Sequence, residues 1–234
     1  MNILAVDTSA LTATVAVFKN GVSVFENNIT NALTHSETLM PMIDYALKSV
    51  KLTPSDIDLF AVSSGPGSFT GIRIGVSAIK ALAYAVDKPV IGINTLHALA
   101  TNLSCVENMP ICPIMDARRG QVYNAIYKFS DGFAQTIEAP RALSIEELCA
   151  QVNSPLMFVG DGVDVYKEKI IELCGSNAHF APPHMRNQKA ASVAFAASLA
   201  DTKDYLSPEA LEVIYLRKSQ AEREREEKER NENL

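Results

Sequence analysis

The chain is 234 residues long, 47% hydrophobic and 21% charged, with a formal net charge of -6 at pH 7. That length admits one large domain or two small ones, and the apolar fraction is enough to build a core. The acidic balance argues against unaided binding to phosphate backbones, and no apolar run approaches the roughly 18 residues of a membrane span.

Residues 3–7, "ILAVD", read as a buried strand ending on a carboxylate. The start "MNILAVDTSA" has no cationic segment before its apolar run, so it reads as a first core strand and not as a signal peptide. "TATVAVFKNGVSVFENNI" alternates around Asn20-Gly21, a pair that favours a type I′ hairpin turn. Three antiparallel strands are therefore expected first. A helix follows: Thr34 and Glu37 make a capping box, and Leu39, Met42 or Ile43, Ala46 or Leu47, and Val50 fall on one stripe. "DLFAVSS" is the next strand, then the glycine loop Gly65–Gly71, a helix over 71–86 and the strand "KPVIGI". The order β-β-β-α-β-α-β is that of a ribonuclease H-like lobe.

The second half repeats this weakly. "PICPIMD" is again an apolar run ending on an aspartate, Asp116, followed by an alternating strand and the turn pair Asp131-Gly132. Thirteen residues separate Asp7 from Asn20 and 15 separate Asp116 from Asp131. A helical segment at "SIEELCAQV", a strand at "PLMFVGDG" and a helix over 163–174 follow. Two such lobes are the plan of sugar kinases, Hsp70 and actin, the ASKHA superfamily. The expected division is an α/β lobe over 1–104, a second over 105–205, a C-terminal helix over 206–220 packing back on the lobes, and a charged tail over 221–234. The helix rests on the Ser-Pro-Glu start and the stripe Leu211, Ile214 and Tyr215. From Arg217 onward six basic and six acidic side chains cancel, which suits a solvated segment.

Asp7-Thr8-Ser9 closes the first strand where a two-lobed phosphotransferase faces its metal-nucleotide. The alternative is an aspartate that fixes its own turn. The loop Gly65-Pro66-Gly67-Ser68-Phe69-Thr70-Gly71 lacks the G-K-[ST] of a Walker A and is not G-x-G-x-x-G. It either binds an anion at the helix start or packs tightly against the opening hairpin. Asp7, Thr8, Ser9, Gly65, Gly67, Ser68 and Asp116 are thus candidates for a vestigial nucleotide cleft. Cys105, Cys112, Cys149 and Cys174 form no C-x-x-C pair and are expected to be buried thiols. His35, His97, His179 and His184 are never i, i+4 pairs; His179 and His184 flank a loop-like stretch expected to face solvent. No G-x-S-x-G elbow occurs, so no catalytic constellation, no metal site and no cofactor is expected.

"ILAVDTS", "THSETLMPMID", "VSSGPGSFTGIRIG", "GINTLHALA", "MDARRGQVY" and "ALEVIYLR" together resemble the TsaB family, also called YeaZ. The resemblance implies a non-catalytic scaffold that pairs with TsaD in making threonylcarbamoyladenosine at adenosine 37 of tRNA. TsaE, an ATPase, is the third component. It further implies a cytoplasmic protein that is a homodimer when alone and meets tRNA only within the complex. TsaD holds its metal through H-x-x-x-H, and the matching positions here are Thr95 and Leu99, with His97 alone between them. The residues alone leave open whether the apolar 71–86 helix is covered by the sheet and the 35–50 helix or by another chain; pairing through the two first-lobe helices, which the resemblance implies, places an interface at Leu39, Met42, Ile43 and Ala46 and at Ile72, Val76, Ile79 and Ala83. A small kinase or ATPase acting alone is the competing reading.

Overall fold

The computed structural model describes residues 1–30 and 34–217. One topology is written twice. In the first sheet β1 (Asn2–Asp7), β2 (Thr12–Lys19) and β3 (Val22–Thr30) form an antiparallel meander. β4 (Leu59–Gly65) and β5 (Val90–Asn94) extend it in parallel beyond β1, giving the order β3-β2-β1-β4-β5. In the second, β6 (Ile111–Asp116), β7 (Gln121–Ser130), β8 (Phe133–Ser144), β9 (Leu156–Val159) and β10 (Ala178–Phe180) repeat the pattern as β8-β7-β6-β9-β10. Both hairpins turn through the pairs read from sequence. Asn20 and Gly21 have φ of 52° and 81°, and Asp131 and Gly132 have 51° and 79°, the left-handed pair a type I′ turn requires.

The helices also correspond. α1 (His35–Ser49), with its Thr34–Glu37 capping box, and α2 (Phe69–Ala85) cover one face of the first sheet. α4 (Ile145–Cys149) and α5 (Gly162–Cys174) do the same for the second. α3 (Thr95–Thr101) and α6 (Ala190–Ser198) are exchanged. α3 follows the first sheet but packs Leu96, Leu99 and Ala100 against Ile111, Met115, Tyr127 and Phe129 of the second. α6 follows the second sheet but lays Ala190, Val193, Ala194 and Ala197 on Ile3, Ala5, Ala16 and Ala61 of the first. A boundary at 104–105 therefore separates the strands of the sheets but not the two cores that join them. α6 carries no amphipathic signal because it is apolar almost all round, as a helix held between layers must be.

The C-terminal segment differs from expectation. Over 206–217 it forms a single 3₁₀ turn at Pro208–Ala210, one bridge at Leu206, and otherwise irregular chain. Its backbone groups are engaged elsewhere: Leu206 exchanges hydrogen bonds with Val90 at 2.9 and 2.8 Å, and the Ile214 N–H donates to Ser64 O at 2.7 Å. The helical spacing of Leu211, Ile214 and Tyr215 reflects a strap with three separate seats. Leu211 is buried against the α1–α2 face, whereas Tyr215 stacks on Phe69 at 4.8 Å. Residues 218–220 of the expected helix and the charged tail over 221–234 lie outside the described residues. Cys112, Cys149 and Cys174 are buried, but Cys105 is exposed. His184 is exposed as expected, whereas His179 is half-buried in β10.

Candidate functional site

Asp7 ends β1 with only 1% of its surface exposed. One carboxylate oxygen accepts the Ser9 N–H at 2.8 Å and the Ser9 hydroxyl at 2.6 Å, and the other accepts the Ser63 hydroxyl. Burial raises its pKa against the lowering effect of those three donors. Thr8 is equally enclosed and donates its hydroxyl to Gly71 O at 2.7 Å. Ser9 presents its carbonyl to the Ser68 N–H at 2.7 Å. The Asp7–Ser9 turn is thus tied to β4 and to the start of α2 by its own polar atoms.

The glycine loop closes over this turn. Gly65 and Gly67 have φ of 123° and 155°, where side chains are strained. A Cβ on Gly65 would collide with the Ile214 carbonyl, and one on Gly67 with the Ser9 carbonyl. Ser68 caps α2 by accepting the Gly71 N–H at 3.2 Å. The carbonyls of Ile214 and Ser9 come close to Gly65 and Gly67, which fits the tight-packing role of the two open to this loop. Gly71 and Gly75 serve the same end, since a Cβ at either would meet Thr8.

The equivalent turn of the second lobe is more open. Asp116 is half-exposed and accepts the Arg118 N–H at 2.9 Å and the Tyr166 hydroxyl at 3.1 Å. Arg118 and Arg119 follow with φ of 62° and 57° and are exposed. Asp161, at the start of α5, was not singled out by sequence. Burial pushes its carboxyl up to about 6, with the Asp116 charge adding to the rise, and one oxygen has no partner among the described residues. The triplet "GDG" around it is the hint the sequence offers.

Thr95 and Leu99 are buried in the inter-sheet core, and His97 is half-buried beside Tyr127, ring centroids 5.6 Å apart. Among the described residues no three His, Cys, Asp or Glu side chains gather in one place.

The expected partner surface is corrected. Leu39, Met42, Ile43, Ala46, Ile72, Val76, Ile79 and Ala83 are all 5% exposed or less, inside one core with Leu4, Val15 and Phe60. α1 and α2 lie on the same sheet face, so the stripes that amphipathicity detects turn inward. The outward side instead carries Met40, Tyr45 and Tyr84, exposed by 46%, 61% and 70%. The polar stripe of α2 has a task that sequence did not suggest. Arg73 lies over the Phe69 ring at 3.7 Å and donates to the Tyr215 hydroxyl at 2.7 Å, and Lys80 donates to the Glu209 and Leu211 carbonyls at 3.1 and 3.0 Å. Both clamp the C-terminal strap.

A family model described as TsaD, tRNA N6-adenosine threonylcarbamoyltransferase, matches residues 29–224. The tRNA threonylcarbamoyladenosine biosynthesis protein TsaB of Bacillus subtilis is 30% identical, covering 95% of this chain and 96% of its own. A tRNA N6-adenosine threonylcarbamoyltransferase of Staphylococcus epidermidis is 32% identical, but over 48% of this chain and 38% of its own. The solved structure of YeaZ from Pseudomonas aeruginosa superposes with a TM-score of 0.80 at 23% identity, covering 92% of this chain and 99% of that one.

Proposed function

The chain belongs to the TsaB (YeaZ) family, and from that premise we propose that it is the scaffold subunit of the machinery that makes threonylcarbamoyladenosine on tRNA, pairing with a TsaD transferase and performing no transfer itself. One observation carries this reading. The likeness to a TsaB covers 95% of this chain and 96% of that one, whereas the transferase match covers 38% of that enzyme. The enclosed Asp7 and the carbonyl-filled glycine loop support it, because neither offers a phosphate or a metal an open seat. The same features count against a kinase or ATPase acting alone.

The pairing surface, on this reading, is the outward side of α1 and α2, around Met40, Tyr45, Ser77, Ala81 and Tyr84. It combines exposed apolar side chains with two small residues, Ser77 and Ala81, that permit close approach. A second copy of the chain and TsaD would compete for it, which makes the lone protein a homodimer. TsaE joins the pair, tRNA meets only the assembled complex, and the complex works in the cytoplasm. The test is reconstitution with TsaD, TsaE, ATP, tRNA and the threonylcarbamoyl donor. Modified tRNA should form only when this chain and TsaD are both present. Modification by this chain without TsaD, or full activity of TsaD without this chain, refutes the proposal.

A further inference from the structure

A cavity of about 560 Å³ lies between the outer edge of β5, helices α3 and α6, the β7–β8 turn and the C-terminal strap. Neither Asp7 nor Asp116 lines it. Its distinctive feature is Gly92. Val90 exchanges both its backbone hydrogen bonds with Leu206, so the polar groups of Val90 point out of the sheet toward the strap. Backbone direction alternates along a strand, so Gly92 points the same way, while Ile91 and Ile93 face β4. Neither the N–H nor the C=O of Gly92 bonds to the strap, and no strand lies beyond β5 in its sheet. The strap leaves the edge after Leu206, turns through Pro208–Ala210, and bonds to the sheet again only where Ile214 reaches Ser64. One rung is left open, and it faces the cavity as a donor beside an acceptor.

The surroundings narrow what could fill it. Phe133, Phe195, Leu199 and Leu211 make the walls apolar. His97 reaches the same space, and its ring nitrogens have no partner among the described residues. The charged residues in the lining are Asp204 and Glu212, both acidic, so an anion is repelled. A longer peptide strand is disfavoured because the strap already takes the neighbouring rung of the edge at Val90. The volume suits a molecule of one or two rings, within the usual range of about 300–1,000 Å³ for small-ligand sites.

We propose that this cavity binds a small, uncharged, planar molecule whose edge carries a hydrogen-bond donor next to an acceptor, the edge of a phosphate-free nucleobase or nucleoside. The ligand completes the missing rung at Gly92 while its ring lies against the apolar walls. This inference stands on the geometry of the cavity and does not depend on the subunit function proposed above.

The test is amide NMR on the full chain with adenosine as the probe. In the free protein the Gly92 amide should exchange rapidly with solvent. Adenosine should move that resonance saturably and slow its exchange at least tenfold. Purine riboside, which lacks the exocyclic amine donor, and AMP, which adds charge, should each bind at least tenfold more weakly. Uridine, which presents a cyclic-amide edge, should move the same resonance if the site reads the edge and not the purine. Leu199→Glu and Phe133→Glu replace side chains that are 40% and 58% exposed, so both should fold, and both should abolish the shift. The proposal is overturned if the Gly92 amide is already protected in the free chain. It is equally overturned if neither nucleoside moves that amide at millimolar concentration, if AMP binds as well as adenosine, or if the blocked variants bind as wild type does.

Discussion

Asp7 and Asp116 occupy the same place in the two copies of one lobe, yet they have opposite surroundings. Asp7 is enclosed, holds three donors, and has a glycine loop folded over it. Asp116 is half-exposed and is followed by an exposed basic turn. A strand-end aspartate followed by a turn looks alike in sequence in both cases. What differs is the partner: Gly65, Gly67, Gly71 and Gly75 let backbone carbonyls and Thr8 approach in the first lobe. In the second lobe the strand after α4 leads through Gly160 and Gly162 into α5, and the turn at Asp116 remains reachable. The first turn has become part of the core; the second has not.

The two turns should differ most at their glycines. Gly67→Ala drives a Cβ into the Ser9 carbonyl and should cost at least about 3–4 kcal/mol. Gly120→Ala, in the open turn with nothing within 4 Å of its Cβ position, should cost only about 1 kcal/mol for its φ of 75°. Urea unfolding of both variants measures the gap, and equal losses would mean the first loop is not tightly seated.

The aspartates should follow the same order. Asp7→Ala strands the Ser9 and Ser63 donors in the interior and should cost about 2–4 kcal/mol. Asp116→Ala frees partners near solvent and should cost less than about 1 kcal/mol. Equal Tm losses would contradict the difference in enclosure.

The pH dependence sharpens the second lobe. The folded-state pKa of Asp161 is raised to about 6 from 3.8, so the folded chain holds this proton when the unfolded chain has lost it. Its contribution to stability is therefore lost as pH rises from about 4 to about 6, by up to about 3 kcal/mol, and levels off above that. Asp161→Asn should be more stable than wild type at pH 7.5, and the difference should vanish near pH 4. A pH-independent difference would remove the burial argument. The smallest effect is expected from deleting 221–234: the segment has no apolar residue between Ala221 and Leu234, so stability should change by under about 0.5 kcal/mol in thermal unfolding.

Much of the repeat was legible because hairpin turns are chemically explicit. Asn20-Gly21 and Asp131-Gly132 fix their strands on both sides, and the capping box at Thr34 fixes the start of α1. What periodicity could not supply was direction. The stripes of α1 and α2 were correctly found as apolar, but a stripe does not say whether a sheet or another chain covers it. The strap imitates a helix because Leu211, Ile214 and Tyr215 have helical spacing, while the backbone bonds that hold it, Leu206 to β5 and Ile214 to β4, reach residues far away in sequence. α6 gives periodicity nothing to detect, because an alanine-rich helix between two layers shows no polar face. At the candidate site, Asp7 was visible as a residue but not as a buried one, since its enclosure depends on four glycines contributed by β4, α2 and the loop between them.

The subunit account rests on a pairing surface that is separate from the core, and a single binding measurement tests it. Wild type, Tyr84→Glu and Val76→Glu would each be mixed with TsaD from the same genome and the mass of the complex measured by light scattering after size exclusion. Tyr84, 70% exposed, should fold normally as glutamate and lose the heterodimer; Val76, 5% exposed, should fail to fold as glutamate because a lone charge would enter the core. A wild-type chain that forms no complex with TsaD, or a Tyr84→Glu chain that pairs as wild type does, would contradict the account.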